Sequence, residues 1–172
     1  MLHVSLKCLL LFLSKKHIVC FVKTLIVTLS KKNWWRINCS LPTKKNLQQR
    51  KIISDPTCDQ CGEEAEESLH TLWGCQTVKH IWWEFECCKT FLSKRFVSFR
   101  DLFQGILAQK NQHMVELFAY MGWNLWFNRN ARRVGSTSLP TGKIFSDAVE
   151  RLQEYHSMQD YSTQQDVILH LT

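Results

Sequence analysis

The residues able to do chemistry are concentrated in Cys58-Asp59-Gln60-Cys61-Gly62, followed by His70 and Cys75, a spacing of Cys-x2-Cys-x8-His-x4-Cys. Two thiolates separated by two residues in a tight turn can face one ion, and Gly62 directly after them supplies the left-handed backbone that such a turn often needs. A second pair, separated by four residues, is expected on one face of a helical turn, where it would close a tetrahedron. Three thiolates and one imidazole are soft-to-borderline donors that suit zinc, and four protein ligands leave no position for a catalytic water. The site therefore reads as structural. His80 lies five residues after Cys75 and His70 five before it, and spacing leaves the fourth ligand open between them.

Cys58 and Cys61 lie in a polar, turn-forming stretch, Ser54-Asp55-Pro56-Thr57 and onward, that offers no core to bury them. Cys8, Cys20, Cys39, Cys87 and Cys88 fall in apolar surroundings, where a cysteine is expected as a small buried hydrophobe. A redox Cys-x-x-Cys pair would open a helix after a strand, whereas this one follows Asp55-Pro56 and precedes an acidic loop. His3, His17, His113, His156 and His170 have no thiol near them in sequence and read as surface or capping residues.

The elements that must hold this loop are helical. Thr43 is a good N-cap for a helix from Lys44 to Ile52, with Leu47 and Ile52 as its buried positions and Pro56 as its stop. From Thr77 to Phe91, the positions Val78, Ile81, Trp82 and Phe85 form one helical face. Ser98 caps a helix with Phe99, Leu102, Phe103, Ile106 and Leu107 at the same spacing. Met114 to Arg133 is the longest candidate, striped by Met114, Leu117, Phe118, Met121, Leu125 and Trp126. Arg129, Arg132 and Arg133 fall in its last turns, where the helix dipole favours cations, and Gly135 stops it. Lys143 to Tyr155 forms a last amphipathic helix.

The predicted class is mainly α: a small helical metal-binding domain followed by amphipathic linker helices. Residues 1–33 form an unassigned apolar and basic segment, 34–92 the metal-binding domain, 93–157 the helical linker and 158–172 a mobile tail. Trp82, Trp83, Trp123 and Trp126 are expected in the core, with base stacking as the alternative role, for Trp34, Trp35, Trp73 and Trp83 above all.

Composition sets the outer bounds. With 172 residues, 45% of them hydrophobic and 12% aromatic, the chain has the material for a globular core, which excludes wholesale disorder. The apolar blocks 8–13, 18–22 and 25–29 are broken by Lys15, Lys16 and Lys23, so a spanning helix is not expected. The first block is too short for a secretory signal and lacks a cleavage site, which points to an intracellular, nuclear or cytoplasmic, setting.

The net charge of +7 is segregated: residues 1–54 carry eleven Lys or Arg and no acid, and residues 55–90 carry eight acids against two Lys. A basic arm beside an acidic module is the charge layout of many chains that grip phosphates, and the other reading is that Lys15, Lys16, Lys31, Lys32, Lys44 and Lys45 are simply a solvated face. Lys31, Lys32, Arg36, Lys44, Lys45, Arg50 and Lys51 are the candidate nucleic-acid contacts. Glu63, Glu64, Glu66 and Glu67 in the metal loop would repel a phosphate backbone, so binding is expected from the flanks.

Several of these runs carry a resemblance. Leu41-Pro42-Thr43-Lys44-Lys45-Asn46-Leu47-Gln48-Gln49-Arg50, then Asp55-Pro56-Thr57-Cys58-Asp59-Gln60-Cys61-Gly62, then Glu67-Ser68-Leu69-His70-Thr71-Leu72-Trp73-Gly74-Cys75, and finally Ile81-Trp82-Trp83, together resemble the reverse-transcriptase zinc-binding domain of plant non-LTR retrotransposons and their host-genome relatives, over about residues 34–90. The resemblance implies Cys58, Cys61, His70 and Cys75 as ligands of a structural Zn2+. The stretch from Glu116 to Asn130 is similar to the helical region that joins such a module to a ribonuclease H domain. Neither that domain nor the usual upstream polymerase is recognisable here, so the chain is expected to be a fragment of such an element.

The resemblance implies a role in handling element RNA or target DNA. The alternative is a structural spacer, or a module that meets a protein partner through its apolar helix faces. Catalysis is not expected, because Asp147, Glu150, Glu154, Asp160 and Asp166 lie on a helix and a polar tail rather than on strands that would converge them on metal ions.

Overall fold

The computed structural model describes residues 41–169, with side chains as far as Met158. Residues 1–33, Cys39, Trp34 and Trp35 lie outside that range, as do the candidate contacts Lys31, Lys32 and Arg36. The architecture is mainly α. Its helices are α1 (Lys44–Gln49), α2 (Gln76–Trp83), α3 (Lys89–Leu92), α4 (Phe99–Leu107), α5 (Gln112–Arg133) and α6 (Ile144–Leu169). Among the described residues no helix is long and apolar enough to cross a membrane.

Thr43 caps α1 as its type predicts, its hydroxyl accepting from the Asn46 amide at 3.3 Å. The helix ends earlier than expected. Lys51 adopts φ +57°, and Ile52 N–H reaches back to the Leu47 carbonyl while Lys51 N–H bonds that of Gln48, the paired bonds of a Schellman ending. This reversal turns Ile52 outward, 55% exposed, so it does not take the buried place assigned to it, and Pro56 is not what stops the helix.

Val78, Ile81 and Trp82 bury the face of α2 as predicted, but the single helix expected to Phe91 divides. Phe85 is extended (φ −97°, ψ 96°), and a 3-10 turn at Glu86–Cys88 leads into α3. Phe85 and Phe91 are six residues apart and would lie about 120° apart around a continuous α-helix. The break lets both reach the core, where they are 5% and 3% exposed. At Gly105 on α4 an added Cβ would stand 3.1 Å from the Phe91 ring, so this glycine admits α3 against α4. Ser98 caps α4 by accepting from Asp101 N–H at 3.2 Å.

The centre of the molecule is α5, buried on nearly every side rather than along one stripe. Phe118 sits in an aromatic cluster: its ring stacks on Trp82 with centroids 4.8 Å apart, and Trp73, Phe99 and Phe103 lie within 6.3 Å of it. Trp82 also donates its indole N–H to the Leu72 carbonyl at 2.8 Å. The apolar faces of α2, α4 and α5 are thus spent on internal packing.

Helix α6 returns antiparallel along α5. Asn124 donates to the Ile144 carbonyl and to Asp147, Tyr120 meets Tyr155, and Glu116 meets His156. Asn128 closes the connection between them, donating to the Leu139 carbonyl and accepting from Leu139 N–H as a peptide unit would. The backbone of α6 continues to Leu169, beyond Tyr155 where its apolar periodicity ends.

Candidate metal centre

The first thiol pair sits in a knuckle closed by backbone bonds. An isolated antiparallel bridge pairs Thr57 with Ala65, Cys58 N–H donates to the Glu64 carbonyl at 2.8 Å, and Glu66 N–H donates to that of Pro56 at 2.7 Å. At the tip, Gly62 N–H bonds the Cys58 carbonyl and Gly62 takes φ +71°, the left-handed geometry that its position after Cys61 implied. The turn aims amides at sulfur: Gln60 N–H donates to Cys58 Sγ at 3.4 Å.

The second pair is positioned by a rarer device. Residues five apart on an α-helix point about 140° from each other, so His-x4-Cys does not share a face of an ordinary helical turn. Here the backbone from His70 to Gly74 is a π turn, and Cys75 N–H bonds the His70 carbonyl at 2.8 Å, an i to i+5 bond. The extra residue in the turn brings the imidazole and the thiol to the same side. The sequence expectation of a shared face was right in outcome and incomplete in its geometry.

Cys58, Cys61, His70 and Cys75 each contribute one donor atom to a group whose members all lie within 4.8 Å of one another. Cys58 Sγ and Cys75 Sγ are 3.9 Å apart, and Cys61 Sγ is 3.3 Å from His70 Nε2. Zinc ligation at the usual lengths demands tetrahedron edges of about 3.5 to 3.8 Å. These two edges fall on either side of that range, the cysteines are free thiols rather than disulfides, and the donor set fits a zinc ion. His80 is exposed on α2 and is not one of the four.

The surroundings complete the donor set. Glu64 lies 2.9 Å from His70 Nδ1, which orients Nε2 toward the thiols in the way metal-bound histidines are commonly held. Thr77 Oγ1 sits 3.1 Å from Cys75 Sγ. Burial pushes the Cys58 thiol up, but hydrogen bonds from the Cys61 amide, the Arg129 guanidinium and the Gln60 amide outweigh it and bring Cys58 down to about 6. Cys75 moves the other way, raised by burial and by the neighbouring Cys58 sulfur.

Sequence reasoning missed the group behind Cys58. Glu66, expected among the repelling acids of the loop, is 0% exposed. It accepts from Arg129 at 2.7 Å, from Arg133 at 2.6 and 2.7 Å, and from the Lys44 amide at the start of α1 at 3.1 Å. The same Nη2 of Arg129 donates to Cys58 Sγ at 2.9 Å. Both arginines had been assigned only to the dipole of α5. No periodicity in the chain joins residue 66 to residue 129.

Four of the candidate nucleic-acid contacts lie among the described residues. Lys44 bonds the Thr57 carbonyl and Asp59, and Lys45 pairs with Glu67. Arg50 and Lys51 are exposed at the end of α1. Trp73, considered for base stacking, is 5% exposed within the aromatic cluster, whereas Trp83 is 56% exposed. Cys88 is buried as expected, its thiol pushed up to about 12 by that burial, while Cys87 is exposed and not a core residue.

Against known proteins, a family described as zinc-binding in reverse transcriptase matches residues 14–82, under half of the chain. The match starts ahead of Trp34, ends within α2 and contains all four clustered donors. No curated protein and no solved structure matches.

Proposed function

We propose that this chain is a non-catalytic structural zinc module of the reverse-transcriptase type, with Cys58, Cys61, His70 and Cys75 as the ligands, associated with RNA or DNA handling through its basic flanks. The observation that carries the reading is the convergence of three thiols and an imidazole within 4.8 Å inside a stretch that matches a zinc-binding family. Four protein donors fill a tetrahedron, which suits folding rather than catalysis. The eleven basic residues of the first 54, with no acid among them, support phosphate contact, and Arg50 and Lys51 are exposed at the edge of that segment. An origin in a plant non-LTR retrotransposon, with α5 as the linker toward a ribonuclease H domain, rests on the sequence resemblance, as does an intracellular setting on the reading of the N-terminal segment.

A second reading, a structural spacer or protein-interaction module with no nucleic-acid binding of its own, is favoured by Lys44 and Lys45, whose charges are matched by Asp59 and Glu67. Two measurements decide. Metal analysis of the purified chain should give one zinc per molecule, lost in Cys58→Ser; a wild-type chain without zinc refutes the module. A salt titration of RNA and DNA binding should give a steep negative log-log slope, and a flat one selects the spacer.

A further inference from the structure

The stretch that matches the zinc-binding family ends at residue 82, yet a charged side chain 71 residues downstream of Cys58 touches its sulfur. We infer that Arg129 is a positioning residue of the metal centre, its buried guanidinium held between Cys58 and Glu66 to face a loaded site of three thiolates and one imidazole. This rests on the zinc reading above and extends it from the knuckle into α5.

Burial beside a charged site is the first argument. Arg129 is 4% exposed and Glu66 0%, so neither is neutralised by solvent. Glu66 carries one negative charge and accepts from two guanidinium groups, which leaves the triad one positive charge in excess. Asp55 and Asp59, which meet Lys44 and Arg133 at the partly exposed edge, offset that excess, so three cations face three carboxylates there. An uncompensated charge in a protein interior is costly. A divalent ion with three thiolates and a neutral imidazole carries one net negative charge, and its nearest sulfur is 2.9 Å from Arg129 Nη2. Arg129, buried and in contact with that sulfur, is placed to meet the charge.

The geometry is the second argument. One Nη2 directs its two hydrogens to different acceptors, Cys58 Sγ and Glu66 Oε2. Glu66 is itself fixed by Arg133 and by the α1 amide, so the guanidinium plane is held from behind while it faces the sulfur. A lysine keeps the charge but is shorter and carries it on a mobile ammonium, so it does not hold one donor nitrogen between both acceptors as the rigid guanidinium does. The proposed metal unit thus includes the end of α5: the Arg129 contact couples metal occupancy favourably to the docking of α5 on the knuckle, and that coupling is the same in both directions.

The test uses the full chain, zinc competition against a chromophoric chelator, and Co2+ as a spectroscopic probe. Arg129→Met is expected to weaken zinc binding by about 10- to 100-fold. It should also move the sulfur-to-cobalt charge-transfer band to longer wavelength, because the thiolate loses the donor that withdraws its charge. Arg129→Lys, which still pairs with Glu66, should fall between Met and wild type. Leu152→Ala, a core truncation in α6, should lower stability and leave the band in place. Wild-type affinity and an unmoved band in both arginine variants overturn the inference while leaving the zinc module standing. If Arg129→Met fails to fold, Arg129→Lys decides by the same two readouts. A wild-type chain that takes up neither zinc nor cobalt refutes the metal reading itself and this inference with it.

Discussion

At the residue scale, a thiol is defined by what surrounds it as much as by its own chemistry. Cys58 is 1% exposed, and burial alone would hold it protonated. Amides from the knuckle and the Arg129 guanidinium reverse the sign and bring it to about 6. Because that value lies below the ordinary 9.0, the stability contributed by this thiolate is complete above the ordinary value and is lost as the pH falls through about 6. In chelator-treated protein, ultraviolet thiolate absorbance should show a step near pH 6 that Cys58→Ser lacks; a first step near the ordinary thiol value would contradict the hydrogen-bonded geometry. Glu66 provides the second prediction at this scale. Glu66→Gln leaves Arg129 buried without its carboxylate and should cost about 3–5 kcal/mol in urea unfolding. Glu67→Gln, which like its partner Lys45 is nearly half exposed, should cost no more than about 1 kcal/mol. Equal losses would mean that burial does not separate the two acids.

At the scale of elements, two departures from regular structure assemble the site. The knuckle needs a left-handed residue after Cys61, and an added Cβ at Gly62 meets no atom within 4 Å, so the cost of Gly62→Ala is backbone strain alone. That cost should be about 1–2 kcal/mol, with weaker zinc retention; an unchanged melting temperature and affinity would show that the turn tolerates any residue. The π turn does the corresponding work for the other pair. The division between α2 and α3 follows the same logic, since Phe85 and Phe91 both enter the core only because the helix breaks between them.

Across the whole molecule, the knuckle is seated on α5 through Glu66, Arg129 and Arg133, and α5 is held by α2, α4 and α6. On the proposed zinc reading, loss of metal should therefore be felt far from the four clustered donors. A structural zinc site of this kind is worth on the order of 10 kcal/mol. Chelation should lower the melting temperature, and amide exchange should rise across the end of α5 around Arg129 as well as in residues 58–75. Faster exchange confined to the knuckle would show that the helical part stands independently. The ion pairs of Lys44 and Lys45 belong to this scale too, since charges that look available along the chain are matched across the fold.

The amino-acid sequence by itself determined the spacing of the three thiols, the tight turn after Cys61, the caps at Thr43 and Ser98 and the buried faces of α2, α4 and α5. Each of these is carried by residue types a few positions apart, and short-range geometry leaves a readable pattern. Only the tertiary structure decided that Glu66 is buried, that Arg129 serves Cys58, that Trp73 packs inside, that Ile52 faces water and that the imidazole chosen is His70. Those outcomes depend on contacts between segments up to 71 residues apart, where burial and charge matching act through space and leave no periodic trace in the chain.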